Sequence, residues 1–253
     1  MTDLNQRVIG AFYFLPVIIG TLAGQPYLGA VMGILQIIMC YELIKILTKS
    51  KRQTVLYATL FILTVLSGHA SAQGSLSIIV PAALLIACFA LMIMRHNMFV
   101  ALFVASVLIC LLSLSWLIMA PNAVMMIVSI ALIITACDIA AYFVGRAVGG
   151  VKLAPSISPG KTVSGSIGGL IGAAVIAIIM ASHLSFVALP AIVAGVVIGV
   201  LAQAGDLYES AFKRRMNIKD SSQIIPGHGG VLDRFDGYIF VTPVAVAILL
   251  AQA

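Results

Sequence analysis

"VMMIVSIALIITACDIAAYFVG", residues 124–145, decides the fold. It is an unbroken apolar run, and a helix needs about 20 such residues to cross a hydrocarbon core. Its only charged residue is Asp138. In a helix running on to Arg146, Asp138 lies about two turns, roughly 10 Å, inside the charged end. A carboxylate at that depth is costly and points to function, with a cation or a basic residue as partner. The plainer alternative is a protonated carboxyl that bonds one helix to another.

The rest of the chain reads the same way. Its 253 residues are 62% hydrophobic and 9% charged, with a mean hydropathy of +1.18. A soluble domain of that length carries far more charge. Nine runs qualify as spans: 7–23, 27–47, 54–66, 76–94, 99–120, 124–145, 166–182, 186–205 and 237–252. The third is the shortest. The first is expected to be a retained span, because no small-residue cleavage site precedes Gln25–Pro26. The expected fold is therefore all-α, a polytopic integral membrane bundle of about nine helices.

Basic residues give the orientation, since they favour the cytoplasmic side. All 14 Lys and Arg fall at the N-terminus, in alternate loops, or at the helix ends beside them. The N-terminus is expected in the cytoplasm and the C-terminus opposite. The net charge of +6 then faces anionic headgroups and is no argument for nucleic acid. Cys40, Cys88, Cys110 and Cys137 lie apart in apolar runs and read as small buried residues.

Two cytoplasmic loops are long, 146–165 and 206–236, and six of the eight acidic residues lie at or beyond Asp138. Residues 1–123 are expected to be helices for packing and lipid contact, and 124–253 the catalytic region. No internal repeat is evident, against a transporter.

Four stretches could carry chemistry. In "GDLYESAFKRR", 205–215, a helix places Asp206, Glu209, Ser210 and Lys213 within an arc of about 100°. A Glu209–Lys213 pair at i,i+4 is ordinary, but Asp206 inside an apolar run is not. Hard oxygen donors of this kind suit Mg²⁺. In "PGHGG", 226–230, the backbone cannot be regular helix and can aim amides at phosphate oxygens. "DRFD" follows, with Asp233 and Asp236 on one face if helical. "KLAPSISPGKTVSGSIGG", 152–169, puts a lysine and hydroxyls before a helix opening near Ser166, a setting that suits phosphate. It is no P-loop: Pro155 stands where that motif has its first glycine, and no strand is expected before it. The fourth stretch is "CDIAAYFVGR", 137–146, around Asp138. Glu42 with Lys45, and Arg95 with His96, are expected to snorkel at helix ends. His69 and His183 are expected in loops on the far side.

These residues resemble the signature of the phosphatidate cytidylyltransferases, approximately S-x-x-K-R-x-x-x-x-K-D, then P-G-H-G-G, then D-R-x-D. Ser210, Lys213, Arg214, Lys219, Asp220, Pro226 to Gly230, Asp233, Arg234 and Asp236 meet it. "SPGKT" and "CDIAAYFVGR" are similar to the family's other blocks, so the resemblance covers about 135–240. Val163 and Ser164 replace the family's usual aromatic and Glu or Gln, and Ile139 and Ala140 replace a small polar pair.

The resemblance implies transfer of a cytidylyl group from CTP to phosphatidate, giving CDP-diacylglycerol and pyrophosphate. It implies Mg²⁺, with room for a second cation, on Asp206, Asp233, Asp236 and Asp138. Lys213 and Arg234 would act at the reacting phosphates, and His228 in a closing turn. Lys161, Ser158, Thr162, Ser210, Arg214, Lys219, Gly227, Gly229 and Gly230 would bind substrate. CTP, phosphatidate and membrane lipids are the expected partners, with a homodimer left open, at the cytoplasmic face of a bacterial inner membrane. Three other readings compete. A secondary transporter would place its polar groups near the midplane. A CTP-dependent lipid-alcohol kinase would release CDP. A CDP-alcohol phosphotransferase needs an Ala-Arg soon after Asp-Gly, where this chain has Tyr238-Ile239-Phe240.

Overall fold

The computed structural model describes residues 15–181, 188–227 and 229–252. Among them are ten helices and one β-hairpin. The helices are α1 (Leu15–Leu22), α2 (Tyr27–Leu47), α3 (Lys51–Ala72), α4 (Ile79–Arg95), α5 (Met98–Met119), α6 (Ala123–Val148), α7 (Val163–Met180), α8 (Ala188–Arg215), α9 (Leu232–Phe235) and α10 (Tyr238–Gln252). Strands β1 (Lys152–Ala154) and β2 (Ser158–Thr162) pair antiparallel between α6 and α7. Six helices are long and apolar enough to cross a membrane: α2, α3, α5, α6, α7 and most of α8. Aliphatic side chains such as Ile34, Ile37, Leu66, Ile171 and Val193 stand exposed on them, as lipid-facing positions do. The chain is an all-α membrane protein.

The run expected at 54–66 is in fact a helix from Lys51 to Ala72. Its hydroxyls do not interrupt it. Thr54, Thr59 and Thr64 each return a hydrogen bond to the carbonyl four residues back, at 3.0, 2.9 and 2.8 Å, which hides their polarity within the helix. His69, expected in a loop, sits in its last turn, whereas His183 lies outside the described residues. The loop expected before Lys161 contains a strand, β1, and helix α7 opens at Val163, three residues before Ser166.

By packing, the chain forms two compact units. The first comprises the described residues within 15–124, 215–235 and 242–252. Its core is the bundle α2–α5, with Met39, Leu43, Tyr57, Phe61, Phe103 and Leu108 fully buried, and α9 lies against α2. Arg215 seats its guanidinium over the ring of Phe99, 3.8 Å from the centroid. The second unit is residues 125–214 and 236–241. Its core is small: Ile133, Cys137, Ala173 and Ala177, edged by Ile176 and Ile198. Glycines allow that. A Cβ at Gly169 would lie 2.9 Å from the carbonyl oxygen of Cys137, and one at Gly172 2.9 Å from that of Ala136. Helix α7 therefore meets α6 backbone to backbone, the close packing that small residues permit in lipid. All four cysteines are buried and none is in a disulfide.

Candidate active site

Helix α6 ends where Gly149 and Gly150 take left-handed backbones, φ +65° and +97°, the usual helix stop. The chain then turns into the hairpin. Lys152 pairs with Thr162 across it, and the Val163 amide donates to the carbonyl of Val151 at 2.9 Å. The Thr162 hydroxyl caps α7 by accepting the Gly165 amide at 3.1 Å. Ser164, where the resemblance has Glu or Gln, donates to the carbonyl of Gly149 and so closes the helix stop onto the hairpin. Val163 points outward, exposed.

This folding brings α6, the hairpin, α7 and α8 around one cavity of about 580 Å³ within the second unit. Asp138, Arg146, Lys152, Lys161, Gln203 and Asp206 are among its walls. Lys161 reaches from β2 to an ion pair with Asp206 on α8. The Ser210 hydroxyl donates to the other Asp206 oxygen at 3.4 Å. One turn on, Lys213 holds the buried Glu209 at 3.0 Å. Asp206, Glu209, Ser210 and Lys213, the arc expected on this helix, are thus joined by these contacts. Arg214 donates to the carbonyl of Ile157 at the hairpin turn, 3.4 Å. The Arg146 guanidinium donates to the hydroxyl of Tyr142 at 2.9 Å. Ser158 opens β2 opposite Ala154.

Asp236 joins this unit through a glycine. Gly205 has no side chain, so the carbonyl of Asp236 lies directly on α8 beside it, one residue from Asp206. Asp236 itself accepts the Gly237 amide at 2.6 Å. Burial, and then the negative charges of Asp206 and Asp138, push its carboxyl up from 3.8 to about 7. Such crowding of hard oxygen donors fits a divalent cation. Asp206 and Asp236 with Asp138 would hold it, and the Lys161 ammonium already stands against one of them. Among the described residues no three acidic, His or Cys side chains converge on one point as they stand.

The other expected residues lie in the first unit. Lys219 and Asp220 are exposed. Gly227 and Gly229 take left-handed backbones, φ +72° and +85°, the non-helical geometry that their composition suggests. His228 is outside the described residues. Asp233 is buried. Its carboxylate accepts the Ser221 amide at 2.9 and 3.1 Å and the Gly230 amide at 2.8 Å. Asp233 thus clasps the turn, and α9 ends at Phe235 before it can carry Asp236 onto the same face. Arg234 is exposed.

Two residues escaped the sequence reading. Glu42 does not snorkel: it is 0% exposed, and its oxygens collect donors from the same turn as Asp233. Gln203 donates to Cys137 Sγ at 3.3 Å and the Ser166 carbonyl at 3.1 Å, and accepts the Ser166 hydroxyl. It ties α6, α7 and α8 together at the cavity wall. Both are polar groups within apolar runs, the same signal that singled out Asp138.

A membrane bundle with a cavity of mixed carboxylates and bases defines a class, and the chain belongs to the cytidylyltransferase family, whose pattern matches residues 5–251. Among its relatives is the phosphatidate cytidylyltransferase of Staphylococcus saprophyticus, 45% identical over 123 residues, 48% of this chain and 47% of that protein. Those of Bacillus subtilis (46% over 113 residues, 44% and 42%) and Staphylococcus aureus (44% over 124 residues, 48% and 47%) are similar. The matched stretches span about half the length of these curated relatives.

Proposed function

We propose that this chain transfers a cytidylyl group from CTP to phosphatidate. The observation that carries the reading is the cavity in which Asp138 and Asp206 share walls with Lys152, Lys161 and Arg146. Such a set can hold a polyphosphate and a cation together.

A phosphatidate oxygen attacks the α-phosphorus of CTP. The bond from that phosphorus to the oxygen bridging to the β-phosphate breaks, and pyrophosphate leaves with the electron pair. The second pKa of a phosphate monoester is about 6, so the nucleophile arrives largely ionised and the chain supplies no strong base. What remains is alignment and charge neutralisation. Lys161, paired with Asp206 at rest, turns to a phosphate oxygen when substrate enters. Lys213 and Arg214, on α8 with Asp206, hold phosphate oxygens of the substrates, and within the first unit Lys219, Arg234 and the Gly227 and Gly229 amides are donors suited to phosphate. Asp138, Asp206 and Asp236 would hold Mg²⁺. When bound, that ion would supply neutralisation of negative charge on the phosphates.

The arrangement extends to the membrane: nine spans, the N-terminus and active site on the cytoplasmic side of a bacterial inner membrane, and lipid substrate arriving from the inner leaflet. The test is purified protein with Mg²⁺, CTP and phosphatidate, scored for both CDP-lipid and pyrophosphate. CDP in place of pyrophosphate would mean a lipid kinase. No nucleotide-dependent product from either phosphatidate or a lipid alcohol would refute the reading. Lys161→Ala is expected to lower turnover on the order of 100-fold, with folding retained.

A further inference from the structure

We infer that Glu42 is a positioning residue that sets the shape of the Ser221–Leu232 turn for the reaction proposed above, an inference that rests on that reading. Glu42 lies on α2, fully buried, in a run otherwise apolar from Tyr27 to Leu43 apart from Gln36. A buried carboxylate survives there only if its lone pairs are met.

They are met by one segment. Glu42 Oε2 accepts the Ser221 hydroxyl at 3.1 Å and the Leu232 amide at 2.7 Å. Oε1 accepts the Ser222 hydroxyl at 2.5 Å and the Val231 amide at 2.9 Å. These donors are the first two and last two residues of the turn, so one side chain draws both of its ends to a point. Asp233 repeats the grip from the other side, on Ser221 and Gly230. Gly230 is caught between: any side chain there would overlap the Ser221 hydroxyl and the Glu42 carboxylate.

The chemistry requires a carboxylate. All four partners are donors, and a carboxylate only accepts. A glutamine of the same shape would turn its NH₂ against one backbone N–H, that of Val231 or of Leu232, while the serine hydroxyl beside it could rotate to accept. The loss falls on the turn, because α2 keeps its own backbone bonds. Lys45, three residues on, takes no part in these four bonds.

The experiment uses the full chain in detergent micelles or nanodiscs, with E42Q and E42A beside the wild type. It measures KM for CTP, KM for phosphatidate, and hydrogen exchange by mass spectrometry. E42Q is expected to raise KM for CTP about tenfold, the effect of one lost charge-assisted bond. KM for phosphatidate should stay within about twofold. Exchange should accelerate in 219–233 and not in α3–α5, and E42A should repeat the pattern. An unchanged KM for CTP with unchanged exchange in the turn overturns the proposal. So does a uniform acceleration through the first unit, which would make Glu42 a packing residue only. If the wild type makes no CDP-lipid, the activity reading falls, and the exchange pattern alone decides whether Glu42 anchors the turn.

Discussion

Asp236 shows how a single atom's surroundings govern a site. Its carboxyl is held at about 7 by burial and by Asp206 and Asp138, against 3.8 when free. Between those values the unfolded chain holds fewer protons than the folded one, so stability falls as pH rises. Metal-free protein is therefore expected to lose melting temperature from about pH 4 to about pH 7 and to level off above. Asp206→Asn removes a repelling charge and should shrink that fall, as thermal unfolding in the presence of chelator would show. Gly205 is the second lever. Gly205→Ala would drive the Asp236 carbonyl off α8, and a misplacement of about 1 Å can cost about 100-fold in turnover. The same variant should leave the first unit's exchange pattern unchanged. Asp138 and Asp206 were legible as charges in apolar runs. Glu42 met the same description and was passed over, because its place near Lys45 suggested an exposed helix end. Only the fold tells a snorkelling carboxylate from one that four donors surround.

At the scale of the helix, hydropathy located the elements well and their ends less well. Helices α2, α5 and α6 begin and end within a few residues of the expected runs. Helix α3 runs longer than expected because its threonines bond inward. The hairpin was illegible: a three-residue strand and a five-residue one rich in Gly and Pro show no alternation to read. Helix α7 depends on its glycine face. Gly169→Leu is expected to destabilise the second unit by about 1–3 kcal/mol through overpacking, seen as a lower detergent unfolding midpoint. Thr162→Ala removes the α7 cap at a cost of about 1 kcal/mol, and the same midpoint measures it.

For the molecule as a whole, composition was enough to establish a membrane protein, because so few residues are polar enough to meet water. Which segments pack together was not written in it. Residues 215–235 group with the N-terminal helices, although they carry signature residues of the C-terminal half. Hydropathy measures length and not partnership. The orientation has its own test: a reporter enzyme active only outside the cytoplasm should be active when fused after Ala253 and silent when fused after Lys152. Glu42 adds a matter of timing. Its hydrogen bonds to Val231 and Leu232 join residues 189 and 190 positions apart, and chains leave the ribosome N-terminus first. The acceptor is thus in the bilayer long before its donors are made. Severing the gene between the two and expressing the halves together should still let the late fragment find its dock, whereas the late fragment alone would emerge with its turn unshaped.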